Sequence, residues 1–185
     1  MRYVALFRGI NVGKAKRIAM ADLRVLLAKL GYTDVATLLN SGNAVFTSDT
    51  APAGKHAERI RQAVLKKTGV DALVIVKSAK DVAGIIAGNE LGAIAHDHSR
   101  LLVAMTNDGK SLAGVKALAR AEWGDERIHV GKHAAYLWCA NGILESKAAT
   151  ALLKGLDGTG TTRNWATLNK IHALMGKGDR GDHRG

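Results

Sequence analysis

The feature that most constrains this chain is an order of elements that occurs twice. The apolar run "RYVALFR" precedes a glycine-rich basic loop and a helix over about 19–30, which carries Met20, Leu23, Leu27 and Leu30 on one face and meets Gly31 at the cap position. Two β-type runs, "VATLL" and "AVFTS", then flank the hairpin sequence "NSGN". A second helix over about 54–67, with Ala57, Ile60 and Val64 in phase, stops at Gly69, and the strand "ALVIVK" leads into a helix opened by the capping box of Ser78 and Asp81. The order recurs as "RLLVAM", the turn "TNDGK", a helix over about 111–123, "ERIHV", the turn "GKH", "AAYLWC", a helix over about 146–156, the extended piece "GTGTT" and a closing helix. It predicts an α+β fold: a duplicated split βαβ, ferredoxin-like unit, βαββαβ plus a helix, each with an antiparallel sheet covered by helices. The expected divisions are a first unit over 1–90, a connector over 91–99, a second unit over 100–175 written βαββα(β)α, and a basic tail over 176–185. That tail is expected to be disordered, because its glycines and charges have nothing to bury.

The topology locates a surface. In a split βαβ unit the first two strands run parallel with the third between them, so the loop leaving strand one and the hairpin joining strands two and three share one end of the sheet. "RGINVGKAK" is thereby expected beside "NSGN", and "TNDGK" beside "VGKH", each pair offering backbone amides and cations to an anion. The charge balance points the same way: 27 Lys and Arg against 16 Asp and Glu give a formal net charge of +11, a surface that attracts nucleic acid and nucleotides. A 47% hydrophobic content supports a packed core. No apolar run approaches the roughly 20 residues that span a bilayer, and "MRYVALF" is strand-sized with no small-residue cleavage site after it, so a soluble cytoplasmic protein with no membrane partner is expected. The single cysteine, Cys139 in "AAYLWCA", excludes an internal disulfide and reads as a buried, inert thiol.

Four stretches carry a family resemblance. "YVALFRGINVG", "MADLRVLLAKLGYTDVATLLNSGNAVF", the pair Ser146 and Lys147, and "TTRNWATLNKIHAL" occur in the order that resembles the bacterial domain of unknown function 1697. The resemblance covers nearly the whole folded chain and implies an α+β duplication, with no established activity, catalytic set or cofactor. The chain departs from the family pattern at Lys14, where a second glycine usually follows Gly13, and at Asn89, Glu90 and Leu91, where the family commonly has Asn-Pro-Phe.

Several motifs invite a chemical reading. "GINVGK", Gly9 to Lys14, resembles a phosphate-binding P-loop, but three residues rather than four separate its glycines and Ala15 stands where Ser or Thr would hold magnesium. An NTPase is therefore rejected, while a weaker role remains: the loop amides with Arg8, Lys14 and Lys16 hold a phosphate. The competing account is structural, with Gly9 and Gly13 permitting a tight turn and Asn11 bonding the backbone locally. Ser41, with Asn40 and Asn43, is explained by turn geometry and has no base placed to activate it. His96, Asp97 and His98 lack a third metal ligand nearby and read as a polar loop, so neither metal nor cofactor is expected. Tyr3, Phe7 and Phe46 share a sheet face by alternation, yet the third strand lacks the RNA-stacking pattern and aromatics total 4%, so any nucleic-acid contact should be to phosphate.

In the closing segment Thr161 or Thr162 is expected to cap, and Trp165, Leu168, His172 and Met175 form an apolar stripe at helical spacing. Arg163 and Asn164 are expected in the first turn, where a cation opposes the helix dipole and an anion is welcome. The structural alternative pairs Arg163 with a carboxylate of the other half. Together these readings describe a binding protein for an anionic ligand, nucleic-acid phosphate or a phosphate-bearing small molecule such as a nucleotide, through Arg8, Gly9, Asn11, Gly13, Lys14, Ser41, Asn43, Arg163 and Asn164. Two alternatives stand beside it: an enzyme with its substrate site between the halves, and a scaffold that forms a homodimer through exposed sheet edges.

Overall fold

A computed structural model describes residues 1–177. The described chain divides into two compact units, Met1–Val82 with the residues from Lys170 onward, and Ala83–Asn169. In the first unit the elements are β1 (Arg2–Phe7), α1 (Met20–Lys29), β2 (Thr33–Leu38), β3 (Asn43–Thr47), α2 (Ala53–Thr68) and β4 (Val74–Ser78), with α3 (Ala79–Ala87) crossing the division. The sheet order is β2-β3-β1-β4 with every neighbouring pair antiparallel, so β1 and β2 run parallel with β3 between them. Alternation along β1 sends Tyr3, Ala5 and Phe7 into one core with Leu23, Leu27, Phe46, Ile60 and Val64. Val4 and Leu6, on the opposite face, are fully buried as well. This double burial is why "YVALF" reads as continuously apolar rather than alternating.

The second unit repeats the plan with β5 (Leu101–Thr106), α4 (Gly109–Ala113), β6 (Arg127–Val130), β7 (Ala135–Trp138), α5 (Lys147–Gly155) and β8 (Gly160–Asn164), and α6 (Trp165–Gly176) crosses the division at Lys170. Its order, β6-β7-β5-β8, is again antiparallel throughout. The duplicated α+β fold expected from the element order is therefore present. Its core gathers Leu102, Ala104, Leu137, Cys139, Ala148, Leu152 and Leu156. The capping box read at Ser78 forms its bonds, and Ser146 caps α5 as well. Ser78 N–H donates to Asp81 Oδ2 (2.9 Å) while Asp81 N–H donates to Ser78 Oγ (3.2 Å), and Ser146 Oγ accepts from Ala149 N–H (2.9 Å).

Four local expectations are corrected. The helix over 111–123 is a short α4 from Gly109 followed by a 3-10 turn over Lys116–Arg120; Asp108 caps it, and Gly114, a poor interior helix residue, stands where it ends. The piece "GTGTT" continues as strand through Asn164, because β8 pairs with β5 from Thr106↔Gly160 to Leu102↔Asn164. Neither Thr161 nor Thr162 therefore caps α6; Asn164 does, its Oδ1 accepting from Thr167 N–H at 2.9 Å. On α6 the buried stripe is Trp165, Leu168, Ile171 and Met175, with His172 exposed. Of the tail, Gly176 ends α6 and residues 178–185 lie outside the described residues.

Candidate anion-binding site

The expected adjacency in the first unit is realised. Residues 8–19 leave β1, and Phe7 N–H donates to the Gly42 carbonyl (2.9 Å), which fixes the β2–β3 hairpin against the start of the loop. The approach is close: a β-carbon at Gly42 would stand 2.6 Å from Ile10 Cδ1 and 2.8 Å from Phe7 Cβ, and the residue has φ +87°. Glycine is required there on both counts. Sequence reading placed Gly42 in a turn but could not see Ile10 packed onto it.

Asn11 ties the loop together. Its Nδ2 donates to the carbonyls of Ile18 and Asn40, both at 2.8 Å, its Oδ1 accepts from Ile18 N–H (2.8 Å), and its own N–H donates to Lys16 O (3.0 Å). It serves the loop's shape, as the structural account held. The loop also contains three left-handed residues beyond Gly9, namely Asn11 (φ 56°), Gly13 (φ 62°) and Lys16 (φ 51°). A left-handed lysine is uncommon, and the cross-links of Asn11 hold the segment that contains it.

Within this frame Arg8 is half-buried, and Gly9, Gly13, Lys14, Lys16, Arg17 and Ser41 are exposed. Asn43 is fully buried; its Nδ2 donates to Leu38 O (2.7 Å) and to Ser41 Oγ (3.3 Å), so it shapes the hairpin and does not face solvent. The amide beside Ser41 cannot take a proton, and the arrangement offers charge and backbone rather than acid–base chemistry. Asp71 feels the charge of Lys16 but is held by Arg61 in a bidentate pair (2.7 and 2.9 Å), and the Arg61 guanidinium keeps its carboxyl below the usual carboxylate range.

Arg163 and Asn164 belong to the second unit. Arg163 is a strand residue opposite Val103, not a first-turn helix residue, and is 8% exposed. It donates through Nη1 to Thr161 Oγ1 (3.0 Å) and Thr162 O (2.7 Å), and burial pushes its guanidinium down to about 10. Asn164 pairs with Leu102 at the start of β5, the end of this sheet opposite the turn that follows Thr106. The nine residues singled out by sequence thus fall into two groups, and one end of the first sheet gathers seven of them.

Other candidates resolve into structure. Tyr3, Phe7 and Phe46 are buried, and Tyr3 and Phe46 stack with ring centroids 5.6 Å apart. Asp97 accepts from Ser99 Oγ (2.6 Å) and N–H (2.9 Å) and pairs with Arg100, while the His96 ring meets Trp138 edge-on. Burial pushes the Cys139 thiol up to about 11, the reverse of nucleophile activation. No helix among the described residues is long and apolar enough to cross a membrane.

The architecture is that of a duplicated, ferredoxin-like α+β protein with one elaborated basic loop. The chain belongs to the family described as Protein of unknown function (DUF1697), whose model matches residues 1–136. A solved structure of a conserved bacterial protein from Streptococcus pneumoniae is similar to it with a TM-score of 0.78 and 26% identity, covering 94% of this chain and 98% of that one. No curated protein matches the chain. The family match ends within β7, so "TTRNWATLNKIHAL" lies beyond it.

Proposed function

We propose that the protein binds an anionic, phosphate-bearing partner through the basic loop and hairpin of its first unit. The observation that carries this reading is a loop of Arg8, Lys14, Lys16 and Arg17 shaped by Asn11 rather than left to thermal motion. Pre-formed cations lose less entropy on binding than mobile ones. Exposed glycine backbone at Gly9 and Gly13 allows close approach of phosphate oxygens. Ser41 borders the same surface, whereas Asn11 and Asn43 support it from within. Arg163 and Asn164 play no part in this reading, since one is buried and the other caps α6.

The test is binding of a single-stranded oligonucleotide at two salt concentrations. Four phosphate contacts correspond to a slope of about −3 in log K against log salt, or about a 50-fold loss between roughly 50 and 200 mM. Arg8→Ala with Lys14→Ala should flatten that slope by about 1.4. Oligonucleotide binding indifferent to both substitutions, or failure to bind any phosphate-bearing polyanion at low salt, refutes the reading.

A further inference from the structure

Cations are not the only unusual groups at this end of the first sheet. Val12 is 71% exposed and Leu39 is 48% exposed. Each adjoins one of the two residues joined by the Asn11 to Asn40 hydrogen bond at 2.8 Å. Val12 stands between left-handed Asn11 and Gly13, and Leu39 is itself left-handed (φ 59°), so the backbone that displays both is shaped rather than slack. The second unit shows no such pair: its corresponding loop and hairpin carry Asn107, Asp108, Lys132 and His133, with no exposed aliphatic among them.

A nucleotide or nucleic-acid strand rewards the cations but gains nothing from aliphatic side chains held in water between them. A surface with phosphates outside and hydrocarbon beneath rewards both. We propose that the anionic partner of this tip is a phospholipid membrane surface of net negative charge. Lys14, Lys16 and Arg17 lie against headgroup phosphates, and Val12 and Leu39 enter the interfacial layer. Asp71, whose carboxyl feels the Lys16 charge, is neutralised by Arg61 and does not oppose the contact. Docking of this kind is peripheral and needs no membrane-spanning helix. It rests on the anion-binding reading of the same loop and assigns that loop its partner.

The full chain would be sedimented with vesicles of phosphatidylcholine, with and without about one-third phosphatidylglycerol, at low salt, and titrated in parallel with the single-stranded oligonucleotide. Binding is expected to the anionic vesicles only. Val12→Ser with Leu39→Ser should lower vesicle partitioning on the order of tenfold and leave oligonucleotide affinity within about twofold. Lys14→Ala, Lys16→Ala and Arg17→Ala together should weaken both, and an unchanged urea midpoint would establish that every variant is folded. Oligonucleotide binding without vesicle binding, or vesicle binding indifferent to the aliphatic pair, overturns the membrane assignment and leaves the anion-binding reading standing. Failure of the wild-type chain to bind either probe overturns both.

Discussion

In the first unit the chain leaves β1 at Phe7 and enters α1 only at Met20, whereas in the second it leaves β5 at Thr106 and enters α4 at Gly109. The strand order on either side is the same, so the split βαβ plan does not need the longer connection. Helix capping differs in parallel: Asp108 accepts from Ser111 N–H at 2.8 Å, while Ala19 offers α1 no side-chain hydrogen bond. The second unit uses its connection to start a helix. The first holds a strained, cation-bearing loop whose strain is offset by side-chain bonds from Asn11 and by the close packing of Ile10 on Gly42.

The sharpest way to break this comparison is through the hairpin glycines. Gly42→Ala puts a methyl group within 2.8 Å of both Ile10 and Phe7 and forces an L side chain to φ +87°, so a loss of about 3 kcal/mol in urea unfolding is expected. At Gly131, in the second hairpin, the added carbon would meet its nearest neighbours at 3.4 Å with no positive φ, and Gly131→Ala should change stability by no more than about 0.5 kcal/mol. Equal losses at the two positions would show that the first loop is not packed more tightly than the second.

Asn11→Ala and Asp108→Ala come next. Asn11 makes three side-chain hydrogen bonds that hold the loop, and its removal should cost about 2 kcal/mol and weaken oligonucleotide binding severalfold by releasing the cations from their arrangement. Asp108→Ala removes an N-cap at a cost of about 1 kcal/mol and should leave binding unchanged. A binding loss in Asp108→Ala equal to that in Asn11→Ala would tie the anion surface to both units.

The same contrast explains what could be read from the sequence. The element order was legible because apolar alternation, the Ser78 and Asp81 capping box and stop residues such as Gly31 are local signals, and from that order the meeting of loop and hairpin follows by topology alone. The fate of individual polar groups was not legible, since it depends on partners remote in the chain. Asn11 reaches Asn40, and Arg163 is buried because β8 pairs with β5 some sixty residues earlier. The threonines before Arg163 favour a strand, yet without the partner strand they read equally well as helix caps. His172 and Ile171 exchanged roles on α6 because a short stripe leaves the helical phase uncertain by one residue.

The smallest expected effect separates the two cores by pH. In the first unit His56 is 1% exposed among Tyr3, Tyr32 and Phe46, with the Tyr32 hydroxyl 2.9 Å from its Nδ1. Its Nε2 is buried without a well-formed hydrogen bond, although the Ala51 carbonyl favours protonation. Desolvation outweighs that carbonyl and holds the imidazole below its usual value of 6.5, with the Arg59 charge adding to the depression. A base whose folded value is depressed leaves the unfolded chain binding more protons, so this contribution to stability is complete above about 6.5 and is lost as pH falls through the folded value. The slope cannot exceed about 1.4 kcal/mol per pH unit for one proton. Cys139, buried in the second core, is raised to about 11 and does not titrate in this range. Amide exchange corrected for intrinsic rates should therefore lose protection in β1 and β3 between about pH 7 and 5 while β5 and β7 hold theirs, and His56→Gln should abolish the difference. A pH slope that survives in His56→Gln would place the titrating group elsewhere.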